Sequence, residues 1–273
     1  SLNEIKKIRE KVPDVEIEVF IHGAMCMTYS GRCLLSNYFT GRDSNRGICA
    51  QDCRWNYKVI AEGHEETGAH DIIEDGTFMF NAKDLCTIEF IDKIIEAGVD
   101  SLKIEGRMKS IYYNSTVVKQ YKRALDSYYS GNYKYDEDWL KELKTISHRQ
   151  YSNGFFLGPT TEKDQNYKTG LSYSQTYRLV ANVLEKVDTN KYKIQIRNQV
   201  FATQELELVR PESEVVKFKV KNFFNTKKEE YEDHVNPNTI AIIETDVEMG
   251  PMDLLRIKLP EGKSDSDMDK ENF

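Results

Sequence analysis

The chain has no apolar run near the ~20 residues that a membrane-crossing helix needs, so a helical membrane protein is not expected. Its opening residues, SLNEIKKIREKVPDVEIEVF, lack the apolar core of a secretory leader, and a reducing cytoplasm is therefore the expected compartment. Positive charge is not in excess. A net charge of -7 argues against a protein that coats nucleic acid indiscriminately, while leaving room for a local basic patch. Hydrolytic signatures are missing too: there is no Gly-x-Ser-x-Gly elbow and no His-Glu-x-x-His helix. The five histidines, His22, His64, His70, His148 and His234, are scattered, and His64 and His70 read as solvated residues of an acidic loop. No internal repeat is present. Cysteine is scarce, and its odd total of five in a reducing compartment argues against a disulfide framework.

Four of those five cysteines nevertheless crowd into one stretch, Glu18 to Trp55, as Cys26, Cys33, Cys49 and Cys53. Their spacing, C-x6-C-x15-C-x3-C, has no C-x2-C knuckle of a structural zinc site and matches no common ferredoxin run, so spacing alone says metal or cluster. Loose spacing without a histidine partner suits a 4Fe-4S cluster better than zinc. Arg32, Arg42, Arg46 and Arg54 are interleaved and would offset the charge of four thiolates. The bland alternative is that these are small buried side chains. Cys53 is favoured as the fourth ligand because it shares the loop with Cys49. Cys86, 33 positions further on at an expected helix start, is the alternative, since a helix N-terminus also favours a thiolate.

Around this stretch the pattern predicts an α/β unit. A helix over 3–12 ends at Pro13, a strand runs from Val15 to His22-Gly23, and the cysteine stretch follows as a Gly-rich loop with one short helix. Residues 60–76 read as an exposed loop and Phe78–Phe80 as a short strand. A helix capped by Asn81 runs to Gly98, a strand spans Val99–Ile104, and helices cover Tyr113–Tyr129 and Asp138–Ser147. Such an order indicates parallel strands, with both the cysteine loop and Lys103-Ile104-Glu105-Gly106-Arg107 at strand carboxyl ends, the face that carries active sites in (β/α) barrels. Too few strands are present to close an eight-stranded barrel, so the expectation is the C-terminal part of one, over 1–157. A linker over 158–171 then leads to short alternating runs over 172–260, the signature of a small antiparallel β-barrel, and 261–273 reads as a disordered tail.

Three stretches carry a family likeness. The run EVFIHGAMCMTYSGRCLLS, Glu18 to Ser36, resembles the signature of peptidase family U32, the collagenase-like proteases. SLKIEGRMKS (Ser101–Ser110) and HRQYSNGF (His148–Phe155) are similar to two further stretches of that family. The string RDSNRGICAQDCRW resembles the cysteine loop of its YegQ-like branch. That resemblance implies 5-hydroxylation of the wobble uridine of tRNA, with prephenate as co-substrate and an iron–sulfur cluster on cysteines. A collagenase-type peptidase acting on collagen or peptides is the alternative, and a non-catalytic cluster-bearing accessory protein the third reading.

Uridine hydroxylation asks for groups that grip phosphate or a carboxylated co-substrate. Lys103 and Arg107 are candidates as catalytic residues, with Glu105 orienting them or acting as a general base, and Lys109 and Arg149 as substrate-binding residues. An ion-pair network capping a strand explains the same charges equally well. Tyr112 and Tyr113 are candidates to stack on a base, although packing at a helix start explains them better. The lysines of VVKFKVKNF fit either an RNA contact or an ordinary solvent-facing strand.

Overall fold

The structure is a computed structural model that describes residues 1–58, 76–166 and 173–261. All but the last residue of the loop expected over 60–76, part of the 158–171 linker and nearly all of the 261–273 tail lie outside the described residues. Spatial contacts divide the chain into two compact units, Ser1–Arg107 with His148–Tyr173, and Met108–Ser147 with Ser174 onward.

The first unit opens with α1 (Leu2–Lys11), started by a reciprocal capping box between Ser1 and Glu4 and ended just before Pro13. A four-stranded sheet follows from β1 (Glu18–Ala24), β2 (Asp84–Cys86), β3 (Ser101–Ile104) and β4 (Tyr151–Ser152), in the order β3-β1-β2-β4. β1 runs parallel to β3 and β2 parallel to β4, but β1 and β2 are antiparallel, so the sheet is mixed. Between β1 and β2 lies the short helix α2 (Leu35–Thr40); α3 (Ile91–Glu96) precedes β3.

Two sequence expectations fail in this unit. Phe78–Phe80 is not a strand: Met79 and Phe80 form a turn beyond the single bridge between Tyr57 and Thr77. The helix expected from Asn81 begins only at Ile91, after β2 and a 3-10 turn over Ile88–Phe90. Its Ile spacing is helical, but pairing of Asp84 and Leu85 with Tyr151 and Ser152 draws the first residues into the sheet instead. Cys86 therefore belongs to a strand, opposite His22, and not to a helix N-terminus.

The second unit joins two helices, α4 (Ile111–Tyr129) and α5 (Glu137–Leu143), to a mainly antiparallel β structure. Its strands are β5 (Tyr177–Asp188), β6 (Lys191–Ile196), β7 (Val200–Phe201), β8 (Leu206–Val209) and β9 (Val216–Phe218). They continue with β10 (Phe223–Asn225), β11 (Glu230–Glu232), β12 (His234–Val235), β13 (Ile240–Glu244) and β14 (Leu254–Lys258). Eight form one antiparallel sheet in the order β11-β10-β13-β6-β5-β14-β8-β9, and β12 pairs with β7. Period-two burial is plain in β6, where Tyr192, Ile194 and Ile196 enter the core beside Val183, Phe223 and Leu255.

A buried guanidinium links the helices of this unit to its sheet. Arg256 on β14 donates from Nε to Glu207 of β8 at 2.9 Å and from Nη1 to Glu142 of α5 at 3.0 Å and to the Tyr112 hydroxyl of α4 at 2.9 Å. Arg256→Leu would leave the buried Glu207 carboxylate with only the more distant Lys217 at 3.8 Å, at a cost of about 3–5 kcal/mol. Chemical denaturation of the variant is expected to show that loss; a change below ~1 kcal/mol would mean the network is idle.

Candidate functional site

Two glycines shape the site. β1 delivers the chain to Met25-Cys26 through Gly23, whose φ of +123° suits glycine. A Cβ on Gly23 would lie 2.4 Å from the Glu105 carbonyl oxygen and 2.7 Å from its Cβ. With no side chain in the way, the segment after β3 closes onto β1, and the Glu105 amide donates to the His22 carbonyl at 2.8 Å. Gly47, with φ +73°, does the same at the far side of the loop: a Cβ there would fall 1.6 Å from Nη1 of Arg107. Glu105 is thus fixed beside the backbone leading to Cys26, and the Arg107 guanidinium lies on the backbone leading to Cys49.

Between those contacts the loop is tied by polar bonds rather than by an apolar core. The Ser36 hydroxyl accepts from the Ala50 amide at 3.0 Å, Ser44 donates to the Cys33 carbonyl at 2.8 Å, and Tyr57 donates to the Asp52 carbonyl at 2.8 Å. Gly41 closes α2 in the left-handed region, and Gln51 takes that conformation before a 3-10 turn over Asp52–Arg54.

Cys26 and Cys49 are exposed, Cys33 and Cys53 half-buried, Cys86 buried, and none of the five is in a disulfide. Burial pushes the Cys53 thiol up; Cys26 and Cys49 add to the shift, and Arg54 and Arg149 oppose it. The Tyr57 phenol is likewise pushed up by burial and then by Asp52, Cys53 and Cys33. Through these two groups all four loop cysteines share one electrostatic neighbourhood. Among the described residues, no three His, Cys, Asp or Glu side chains are drawn together closely enough to hold a metal ion. The loop cysteines have the donor chemistry of a thiolate-held group, but the described residues form no preformed coordination shell.

The candidate residues separate. Glu105 accepts from the Arg107 amide at 3.0 Å, whereas Lys103 pairs with Glu18 at 2.8 Å, so Glu105 does not orient that lysine. Arg149 is buried: Nε and Nη2 meet Asp84 Oδ1 at 2.9 and 2.7 Å, and Nη1 meets Asn81 at 2.8 Å. A guanidinium so enclosed is a framework group, not one that greets a substrate. Lys109 lies 4.8 Å over the Tyr113 ring and donates to the Ser147 carbonyl at 3.4 Å. Tyr112 and Tyr113 are buried and offer no face to a base, in keeping with the packing explanation. Lys217 of the lysine-rich run pairs with Glu205 at 3.1 Å.

Sequence reasoning missed Asp52. Its side chain is 1 % exposed, and among the described residues neither carboxylate oxygen has a hydrogen-bond partner. A buried carboxylate left this way costs stability. Nothing in the string Gln51-Asp52-Cys53 signals it: the 3-10 turn is closed by local bonds from Arg54 and Trp55, while burial of the side chain depends on the surrounding fold.

Comparison with known proteins places this arrangement. The model of "Peptidase family U32" matches residues 1–166, and that of "Peptidase family U32 C-terminal domain" matches residues 175–256. The chain belongs to peptidase family U32. Among U32-related proteins, it is 39% identical over 263 residues to tRNA hydroxylation protein P1 of Bacillus subtilis (strain 168), covering 94% of this chain and 61% of that protein. It is 34% identical over 270 residues to tRNA hydroxylation protein P of Escherichia coli (strain K12), covering 84% and 59%. A collagenase of Porphyromonas gingivalis is 40% identical over 168 residues, covering 60% of this chain and 44% of that protein. The chain thus spans about three fifths of the length of the tRNA hydroxylation proteins it matches.

Two outcomes follow from the geometry. Arg149→Ala is expected to destabilise the first unit by about 3–5 kcal/mol, because Asp84 is left charged and buried; retained stability with weakened substrate binding would restore the substrate role. Asp52→Asn is expected to raise the melting temperature of metal-free protein by the equivalent of about 1–3 kcal/mol, since an uncompensated carboxylate is removed. A fall in melting temperature would show that Asp52 has a structural partner.

Proposed function

We propose that this chain is part of an enzyme that hydroxylates carbon 5 of the wobble uridine in tRNA, with prephenate as co-substrate and a 4Fe-4S cluster on the loop cysteines. One observation carries the reading: the likeness to tRNA hydroxylation proteins runs through both units, over 94% and 84% of the chain, whereas the likeness to collagenase stops at 60%. In this reading the first unit is the later part of a (β/α) barrel, the C-terminal sheet is a small barrel, and the protein works in the cytoplasm.

Cys26, Cys33 and Cys49 would hold the cluster together with Cys53, whose thiol shares their electrostatic neighbourhood, or with Cys86 from β2. A bound cluster supplies an electron route. Arg107, exposed and laid on the backbone before Cys49, is the best placed of the three catalytic candidates to grip a co-substrate carboxylate. Glu105 fixes the turn that presents it. Lys103, half-exposed and neutralised by Glu18, would serve at the rim.

Mass spectrometry of tRNA incubated with the intact protein and prephenate is expected to find 5-hydroxyuridine at the wobble position. No product from iron-loaded protein sinks the reading. Cleavage of denatured collagen that survives replacement of every loop cysteine would favour the peptidase. Iron content separates the ligand sets: Cys53→Ser is expected to lower it sharply and Cys86→Ser to leave it intact, and the reverse would assign Cys86.

A further inference from the structure

The short helix in the cysteine loop is inside out. Ser36 is the only buried residue of α2, and its hydroxyl is spent on the Ala50 amide, so the helix turns a serine inward and its rings outward. Tyr38 is 80% exposed, Phe39 46% and, across the loop, Trp55 44%. These rings form a row: Tyr38 meets Phe39 edge-on at 5.0 Å, and Phe39 lies 5.9 Å from Trp55 and 6.0 Å from Tyr57. Tyr57 in turn packs against Phe80 at 5.5 Å, so the row is anchored at one end and open at the other. Single exposed apolar side chains are ordinary on a surface, but a contiguous aromatic row is not.

Charge around the row has the opposite sign to that of the chain. From Cys26 to Lys58 there are four arginines and one lysine against Asp43 and Asp52, a net of +3 (5 − 2) in a protein of -7. Asp52 is buried, and Asp43 accepts from the Asn37 side-chain amide at 2.6 Å and lies 3.9 Å from the exposed Arg46 guanidinium. Arg32, Arg42 and Arg46 are exposed. Flat apolar faces beside guanidinium groups are what unpaired nucleic-acid bases and their phosphates require. Each base that stacks on a ring gains about 1–3 kcal/mol, and each phosphate meets a cation. A purely apolar partner would cover the rings but bring no counter-charge to Arg32 and Arg42, which have no ion pair among the described residues.

We propose that the outward face of α2 together with Trp55 is a stacking surface for unpaired RNA bases, with Arg42 and Arg46 at hand for the phosphates. The inference rests on the tRNA reading above and names the surface that would bring a loop nucleotide to the cysteine region. It assigns the stacking role to rings far in sequence from Tyr112 and Tyr113, which are enclosed.

The test uses the intact protein, an RNA hairpin with the loop of a tRNA anticodon arm, and a fully paired duplex of equal length. Tyr38→Ala and Trp55→Ala are each expected to weaken hairpin binding about tenfold while changing duplex binding less than about twofold. Arg42→Gln and Arg46→Gln are expected to weaken both and to lower the salt dependence of binding by about one counterion each. Unsubstituted protein, cross-linked by light to a hairpin carrying bromouridine in its loop, is expected to be labelled in the peptides holding Tyr38-Phe39 or Trp55. Hairpin affinity within twofold of wild type in the Tyr38→Ala, Trp55→Ala double variant overturns the proposal, as does cross-linking confined to other peptides. Rings shielded from solvent quenchers in the RNA-free intact protein also overturn it, because another part of the protein then covers them. Any of these results alongside continued hydroxylation of tRNA leaves the enzyme reading standing, whereas an intact protein that binds neither RNA sinks both.

Discussion

The Asp84–Arg149 pair is the contact on which the first unit depends. It is formed by residues 65 positions apart, both almost fully buried, and three of its bonds fall between 2.7 and 2.9 Å. Burying a carboxylate and a guanidinium has a large desolvation cost, which only full hydrogen bonding offsets, and Asn81 provides one of the further partners. Its gain is specificity of pairing. It locks β2 against the segment that enters β4, and so decides that Asp84–Cys86 is a strand although the isoleucines after it are spaced for a helix. Arg149 also reaches the cysteine loop electrostatically, where its charge opposes the upward push on the Cys53 thiol.

The loop itself is built on another principle. Hydroxyl-to-backbone bonds from Ser36, Ser44 and Tyr57, and left-handed turns at Gly41, Gly47 and Gln51, replace the apolar packing that orders the rest of the chain. Segments with few buried apolar contacts open most easily. Such a loop can draw its thiols together when a ligand rewards it, because little packing has to be undone; metal binding and local folding then become one process.

That contrast explains what could be read from the residues alone. The α1 helix with its stop at Pro13, β3, α4 and the alternating runs of the C-terminal sheet follow from local pattern, and the structure has them where periodicity puts them. Local signals fail where distant residues decide. Nothing near Phe78–Leu85 foretells Arg149, and nothing in α2 foretells that its serine faces in. The clustering of cysteines and the KIEGR segment were legible as chemistry-bearing strings, but their meeting depends on Gly23 and Gly47, whose missing side chains matter only once Glu105 and Arg107 lie against them. Asp52 was invisible because burial of a loop carboxylate is a tertiary fact.

Electrostatics supplies the last step. A chain of net charge -7 should repel a polyanion, and at physiological ionic strength that repulsion fades beyond about 8 Å. Within that distance only the local charge counts, and around the cysteines it is positive, with exposed Arg32, Arg42, Arg46 and Arg107 close in the fold to the thiols or in the same loop. The same arginines would stabilise thiolates and meet an anionic substrate. In the proposed reading, a site that held a negatively charged cluster and also attracted anions would need more cations than either task alone. The density of arginine in this one loop, set in an acidic protein, satisfies both demands at once.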